Sequence, residues 1–427
     1  MVSGVMDMDY KKRVIDEQLR FLLTTSGAVL IEGPKWCGKT TSAKQIAKSM
    51  IEMDEPKNRL SNVNFAKIAP EILLNGEVPR LIDEWQVAPV LWDAVRHEVD
   101  RRSTMGQFIL TGSSTPTNRD EIIHSGAGRI TTLKMRPMSL FESGDSDGSI
   151  SLKTIFEGKP IVPQKNSMTI QRLSFLLCRG GWPLSLNLEE RASLQQAKNY
   201  YKAVTESDIS RVDGVARDSN KVKALMKSVA RNIASQASIP TLLNDLKHGD
   251  NRMSDVTVAS YLSALKTIHV IDDLEAWNPN LRSKSAIRTS PTRHFVDPSI
   301  ATAALGISPN DLLFDFHTMG LVFESMCIRD LRVYADALEG HVLHYRDSSN
   351  LECDAIIHLD NGDWGVVEIK LAEHLVEDGV KTLHEIADKI DKYTMKKPSF
   401  LMVLTGDGYS YQREDGIYVI SVASLRP

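Results

Sequence analysis

The sequence predicts a multidomain α/β protein, and three observations carry that expectation. Short apolar runs bounded by glycine alternate with helical apolar stripes over the first third of the chain. The middle reads as helical, broken by Gly180-Gly181-Trp182-Pro183. Strand-like runs return from His341 onward, behind the long helical pattern Phe316 to Leu338. At 427 residues the chain is too long for one ordinary domain, and two to four are expected.

Composition narrows the class. With 42% hydrophobic and 25% charged residues, the chain reads as a water-soluble globular protein. Met1 to Arg20 is polar and charged, unlike a secretory leader, and no run approaches the length of a membrane span. Cys37, Cys178, Cys327 and Cys353 are scattered, which fits reduced thiols in a cytoplasm rather than a metal knuckle or redox pair. A net charge of −4 exerts no global pull on nucleic acid, so DNA binding would need local basic patches.

Ala28-Val29-Leu30-Ile31 reads as a buried strand that feeds into Gly33-Pro34-Lys35-Trp36-Cys37-Gly38-Lys39-Thr40, a full GxxxxGK[ST] match. A helix is expected from Thr41 through Met50. Strand, glycine loop and helix N-terminus are the parts of a P-loop: backbone N–H groups close on phosphate oxygens while the helix dipole adds positive charge. Residues Gly33 to Thr41 are thus the expected nucleotide-binding segment. Lys39 would reach the β- and γ-phosphates, and the Thr40 hydroxyl would take a magnesium position.

Leu81-Ile82-Asp83-Glu84-Trp85 supplies a partner. Two apolar residues followed by two acids suit a strand ending at a magnesium site, with Asp83 on the metal and Glu84 polarising the attacking water. Trp85 to Val99 then reads as helix. A third strand, Gln107 to Leu110, ends in Thr111-Gly112-Ser113-Ser114, where Thr111 and Ser113 could sense the γ-phosphate or simply form a turn. Arg129, in Ser125-Gly126-Ala127-Gly128-Arg129-Ile130, is either a sensor or trans-acting arginine or an exposed loop residue.

These runs together resemble a family of prokaryotic AAA+-type ATPases in which a nuclease-like C-terminal domain of unknown function follows the ATPase. The resemblance rests on Leu81-Ile-Asp-Glu-Trp-Gln-Val-Ala-Pro, Phe108-Ile-Leu-Thr-Gly-Ser and Gly128-Arg-Ile. It is weakest between about residues 140 and 220. It implies a cytoplasmic ATP-binding protein, with the helical stretch Ile170 to Ile209 resembling an AAA+ lid.

Gly144 to Ser149 is glycine-, serine- and aspartate-rich and reads as a flexible break. Beyond it, a helix over Ile239 to Leu246, another opening at the N-cap Ser254, and strand-like segments at His269-Val270-Ile271 and Arg293-His294-Phe295-Val296 form a winged-helix pattern. Basic residues gather there: Lys221, Lys223, Lys227, Arg231, Arg282, Lys284, Arg288 and Arg293. They suit DNA contact or a solvated protein-binding module. The expected division is residues 1–145 for a P-loop core, 146–215 for a helical lid or connector, 216–300 for the winged helix, and 301–427 for a restriction-endonuclease-like domain.

In that last segment, Leu351 to Leu359 and Trp364 to Leu371 flank Asn361-Gly362, a hairpin signal. They carry Asp354 and Glu368-Ile369-Lys370, the D…ExK arrangement. Asp354 and Glu368, with Glu324 from the preceding helix, would bind Mg²⁺ or Mn²⁺, and Lys370 would steady water or phosphate. Glu368 and Lys370, two apart, share a strand face. Asp354 joins that face only if the connecting loop has an odd residue count or a bulge; a clean two-residue turn would pair it with Ile369 and point it away.

The sequence therefore predicts an ATP- and Mg²⁺-dependent ATPase whose nucleotide state controls a nuclease-like region acting on nucleic acid. The alternative is a nucleotide-gated scaffold with an inactive nuclease fold. Expected catalytic residues are Lys39, Glu84, Arg129, Glu368 and Lys370; expected partners are ATP, DNA, a protein held by the C-terminal region, and further copies of the chain, with no membrane.

Overall fold

The computed structural model describes residues 10–112, 125–212, 214–247, 252–279, 290–390 and 396–427. The chain folds as two compact units. Of the described residues, the first holds 10–32, 38–112 and 125–135, and the short segment 33–37 counts with the second.

The first unit is built on a parallel sheet of β1 (Ala28–Glu32), β2 (Ser49–Glu52), β3 (Arg80–Asp83), β4 (Phe108–Gly112) and β5 (Ile130–Lys134), in the order β2-β3-β4-β1-β5. A parallel sheet covered on both faces needs continuous apolar strands, and β1 and β4 are buried along nearly their whole length. Leu30, Ile82, Phe108 and Leu110 pack with Trp85, Leu91 and Val95 in one core. All the strands run the same way, so their C-terminal ends share one edge. There, β4 lies between the strand that enters the glycine loop and the strand that ends at Asp83.

Two local expectations fail here. The helix after the loop spans only Lys39–Lys44, and Ser49–Glu52 is strand β2, paired in register with β3. Edge pairing outweighs the weak helical stripe read through Met50. Trp85–Val87 is a single 3₁₀ turn, with the helix Leu91–Arg102 starting after Pro89, because the residue before a proline is pushed out of helical geometry.

The second unit combines helices with a sheet of β7 (Gln164–Lys165), β8 (Gly340–Arg346), β9 (Glu352–Leu359), β10 (Trp364–Lys370), β11 (Phe400–Thr405), β12 (Tyr409–Gln412) and β13 (Tyr418–Ser421). Its order is β7-β12-β13-β11-β10-β9-β8. The long helix Phe316–Asp336 precedes the antiparallel β8-β9-β10, and the helix Val376–Ile390 leads to β11, which is parallel to β10. Helices Ser219–Arg231, Ile239–Asp245 and Asp255–Thr267 precede two antiparallel bridges, Ile271 with Phe295 and Leu274 with Thr292.

The stretch from Gly144 to Ser149 is not a loose break. Asp145 accepts ion-paired hydrogen bonds from Arg172 and Arg179, each at 2.7 Å. Ser146 donates to the Leu425 carbonyl at 2.8 Å, and the two-residue strand β6 (Ile150–Ser151) pairs in parallel with β14 (Leu425–Arg426). Composition shows the polarity of such a segment but not the partners that bury it.

A fully buried cluster ties three segments of this unit together. Arg329 donates to Asp297 and Asp330, both at 2.8 Å, and all three are at most 3% exposed. Asp297 also accepts from the Gly181 amide at 2.9 Å, and Asp330 from the Leu140 amide at 3.0 Å. Burial, only partly offset by Arg329, pushes the Asp330 carboxyl up to about 6.

Candidate nucleotide and carboxylate sites

At the C-terminal edge of the first unit's sheet, three polar side chains converge. Thr40 Oγ1 donates to Asp83 Oδ1 at 2.7 Å, and Thr111 Oγ1 donates to the same oxygen. Gly38 holds a left-handed φ of 103° where the loop turns into its helix, a conformation that favours glycine. Lys39 is 6% exposed, and Thr41 opens the same helical turn. A hydroxyl and a carboxylate in mutual contact above buried strands are the donor set for a hard divalent cation, and Lys39 supplies the positive charge for phosphate. The residues therefore fit Mg²⁺ and a nucleotide.

Glu84 follows Asp83 directly and takes a left-handed backbone (φ 53°, ψ 46°), unusual for a residue with a side chain. Such outliers gather at functional sites. Burial raises the proton affinity of its carboxyl; Gln86 and Lys39 pull it back, while Asp83 and Asp54 push it further up.

Gly33 to Cys37 carry contacts within the second unit. Lys35 Nζ pairs with Asp208 at 2.5 Å. Trp36, at a φ of 66°, meets Tyr200 edge-on at 5.5 Å, and Tyr200 stacks on Trp182 at 4.2 Å. Cys37 is a buried free thiol. Pro34 belongs to the same run, and Ser113 lies outside the described residues.

Arg129 is a correction. β1 and β5 are parallel with Ala28 opposite Ile130, and the Arg129 carbonyl accepts from the Ala28 amide. Arg129 thus sits at the N-terminal edge of the sheet, about 16 Å of strand from the glycine loop, exposed and paired with Asp100 at 2.8 Å. It cannot serve the nucleotide of its own subunit as a sensor. Spacing along the sequence does not reveal strand direction.

In the second unit, His358 pairs with Trp364, and the count continues through Ala355 with Val367. The connection is thus odd, 359 to 363, which sets Asp354 opposite Glu368. Asp354 Oδ2 accepts from the Ile369 amide at 2.6 Å, and Lys370 Nζ pairs with Glu368 Oε2 at 2.7 Å. Burial first, then mutual repulsion with Asp354, raises the proton affinity of Glu368; burial also raises Asp354, and Glu324 feels burial plus both neighbours. The four residues are close enough to share charge. Yet among the described residues no three His, Cys, Asp or Glu side chains are placed to hold a metal ion. One oxygen of Asp354 is engaged by a backbone amide and one of Glu368 by Lys370, and the assignment of Mg²⁺ or Mn²⁺ to Glu324, Asp354 and Glu368 finds no support among the described residues.

Arg293 is also not a surface DNA contact. It is 8% exposed, its guanidinium bonds Asp273, and it donates to the Ala237 carbonyl at 3.1 Å. Arg282, Lys284 and Arg288 lie outside the described residues. Gln86, beside Glu84, was not singled out from the sequence. Its only signal was position, two residues past the acidic pair.

Three segments of the chain match family models. Residues 25–143 match the AAA domain family, 170–311 a domain of unknown function, and 319–425 a second domain of unknown function. Uncharacterized proteins of Mycobacterium bovis and Mycobacterium tuberculosis are each 24% identical over 364 residues, covering 84% of this chain and 74% of theirs. A Walker-type ATPase of Pyrococcus abyssi aligns over 69% of this chain and 96% of its own, at 12% identity and a TM-score of 0.41. A DNA replication initiation factor aligns over 59% and 87%, at 12% identity and a TM-score of 0.25. Among the described residues no helix is long and apolar enough to cross a membrane. Residues 25–143 thus match the AAA domain family and carry the glycine-loop pattern, a five-stranded parallel sheet and the Thr40–Asp83–Thr111 contact.

Proposed function

We propose that the chain binds ATP with Mg²⁺ over residues 33–41, hydrolyses it, and uses the nucleotide state to govern what its C-terminal region holds. The observation that carries this reading is the shared hydrogen bonding of Thr40 and Thr111 to Asp83 Oδ1, which joins the loop helix, β3 and β4 at one point. Bound Mg²⁺ would supply charge neutralisation for the transferring phosphoryl group. Thr40 and Asp83 would hold it, Lys39 would orient the β- and γ-phosphates, and Glu84 would accept the proton of the attacking water. Arg129, at the far sheet edge, would act only on a neighbouring copy, so this reading includes a homo-oligomer. The test is ATP turnover and ATP affinity for wild type, Lys39→Ala and Glu84→Gln. A Lys39→Ala protein with unchanged affinity and turnover would sink it.

For the C-terminal region the reading is a nuclease-like fold that engages nucleic acid, with the helical bundle before it as lid and winged-helix connector in a cytoplasmic protein. The helix, three antiparallel strands, helix and parallel strand over residues 316–405 support it, as does the clustering of Asp354, Glu368 and Lys370. A second reading, a gated scaffold with an inactive nuclease fold, is favoured by the Lys370–Glu368 ion pair and by the lack, among the described residues, of three side chains grouped for a metal. Incubating plasmid and single-stranded DNA with Mg²⁺ or Mn²⁺, with and without ATP, separates the two. Cleavage lost in Glu368→Ala and Lys370→Ala supports a nuclease; no metal-dependent cleavage supports the scaffold.

A further inference from the structure

Gln86 lies one residue past Trp85, in the 3₁₀ turn that leaves the acidic pair Asp83-Glu84. Its Nε2 donates to Glu84 Oε2. A carboxylate only accepts, so this contact settles which end of the amide faces Glu84. The other end, Oε1, is buried and has no hydrogen-bond partner among the described residues. It lies against the backbone of Gly112: a Cβ built on that glycine would come within 2.5 Å of Gln86 Oε1 and 3.1 Å of Trp85 Nε1. Gly112 ends β4, directly after Thr111, which bonds Asp83. The unused acceptor therefore sits at the sheet edge that carries Asp83, Glu84 and Thr111.

A buried acceptor left unpaired costs about 1–3 kcal/mol, and native proteins keep few of them without a use. In hydrolysis, the water oxygen bonds to the γ-phosphorus as the bond to the bridging oxygen breaks. ADP leaves with that electron pair, and one water proton passes to the Glu84 carboxylate. The second water hydrogen needs an acceptor, and a rigid one fixes the lone pair that attacks. We propose that Gln86 is the positioning residue for this step: its Nε2 holds one oxygen of Glu84 in place, and its Oε1 receives the hydrogen of the attacking water that Glu84 does not take. The left-handed backbone at Glu84 serves the same arrangement by turning the 3₁₀ turn back so that the side chains at 84 and 86 meet. Small size at position 112 is then required, because any larger residue would occupy the space of the Gln86 amide.

This inference rests on the ATPase reading. The test uses the full chain, with steady-state ATP hydrolysis across pH 5.5–9 and equilibrium ATP binding, for wild type, Gln86→Leu, Gln86→Asn and Lys39→Ala. Gln86→Leu is expected to lower kcat about 10- to 100-fold, below or at the lower end of the range for groups that themselves transfer the proton, while ATP affinity stays within about two-fold of wild type. Gln86→Asn, which keeps a shorter amide, should fall between the two, and it carries the test if Gln86→Leu fails to fold. Unchanged or faster turnover in the Gln86 variants overturns the proposal, as does a loss matched by an equal loss of ATP affinity. If wild type turns over and Lys39→Ala does not, such a result leaves the ATPase reading standing; if wild type is inert, both fall.

Discussion

Replacing Arg329 with leucine should be among the most damaging single changes in the second unit, and its cost follows from three buried contacts. Arg329 donates to Asp297 at 2.8 Å and to Asp330 at 2.8 and 2.7 Å, and none of the three residues is more than 3% exposed. Hydrogen bonds to charged groups contribute about 1.5–3 kcal/mol each, so roughly 4.5–9 kcal/mol of gross interaction is lost. Relief of the desolvation of Arg329 offsets part of it, and breaking one side of a buried pair typically costs about 3–5 kcal/mol net. Urea unfolding followed by tryptophan fluorescence should report it, since Trp182 Nε1 donates to Ser299, whose hydroxyl donates to Asp297. With a slope of about 3 kcal/mol/M, the midpoint should drop by about 1–1.7 M. The pH dependence has a definite sign. Burial already holds Asp330 above its unfolded value, and loss of Arg329, which pulls it back, raises its proton affinity further. The folded variant then binds more protons than the unfolded chain, so its deficit should shrink as pH falls from 8 to 5. Adding Asp297→Asn to Arg329→Leu should recover part of the loss. A single variant that costs under about 1 kcal/mol, or a deficit that grows on acidification, would refute the reasoning.

Glu84→Gln should retain ATP binding and lose turnover about 10²- to 10⁴-fold, read by comparing nucleotide titration with phosphate release. Because burial raises the proton affinity of Glu84, and the base form is the active one, wild-type turnover should fall on acidification at a pH above the ordinary carboxylate value of 4.5. Gly112→Ala should reproduce the Gln86 phenotype, with turnover lost and ATP affinity kept, since its new methyl would displace the Gln86 amide. Gly181→Ala should instead act on stability: its Cβ would fall 2.1 Å from the Met138 carbonyl oxygen, and a drop in melting temperature without a change in ATP affinity checks it.

Much of the nucleotide domain was legible because its signals are local. The apolar run Ala28 to Ile31, the glycine loop and the Leu81 to Glu84 run each define an element within a few residues, and β1 and β3 lie where that pattern put them. The odd loop count required for Asp354 to face Glu368 was likewise a local geometric condition, and the register meets it. What stayed hidden depends on partners far along the chain. Ser49 and Met50 look helical until β3 offers an edge; Arg129 looks close to the phosphates until β5 is laid parallel to β1; Asp145 looks solvated until Arg172 and Arg179 close over it. Gln86 carries no signal beyond its position past the acidic pair, because its neighbour Gly112 lies on another strand.

The pairing of β6 with β14 has a consequence for how this unit can be made and cut. Ser146 bonds the carbonyl of a residue 279 positions later, Ser151 donates to Pro427, and Asn166 reaches the Ala423 carbonyl. During vectorial synthesis, residues 146–166 leave the ribosome long before those partners exist, so they must wait without their hydrogen bonds, and nascent chains of intermediate length expose the edge that β12 and β14 will cover. An expression fragment begun at residue 170, where the matched family segment begins, would carry the same wound permanently: Tyr409 and Ser410 would lack the strand they pair with, and Leu425 its parallel neighbour. A fragment meant to isolate this unit should therefore start ahead of Ser139, whose capping box with Glu142 opens the stretch that clasps the end of the fold.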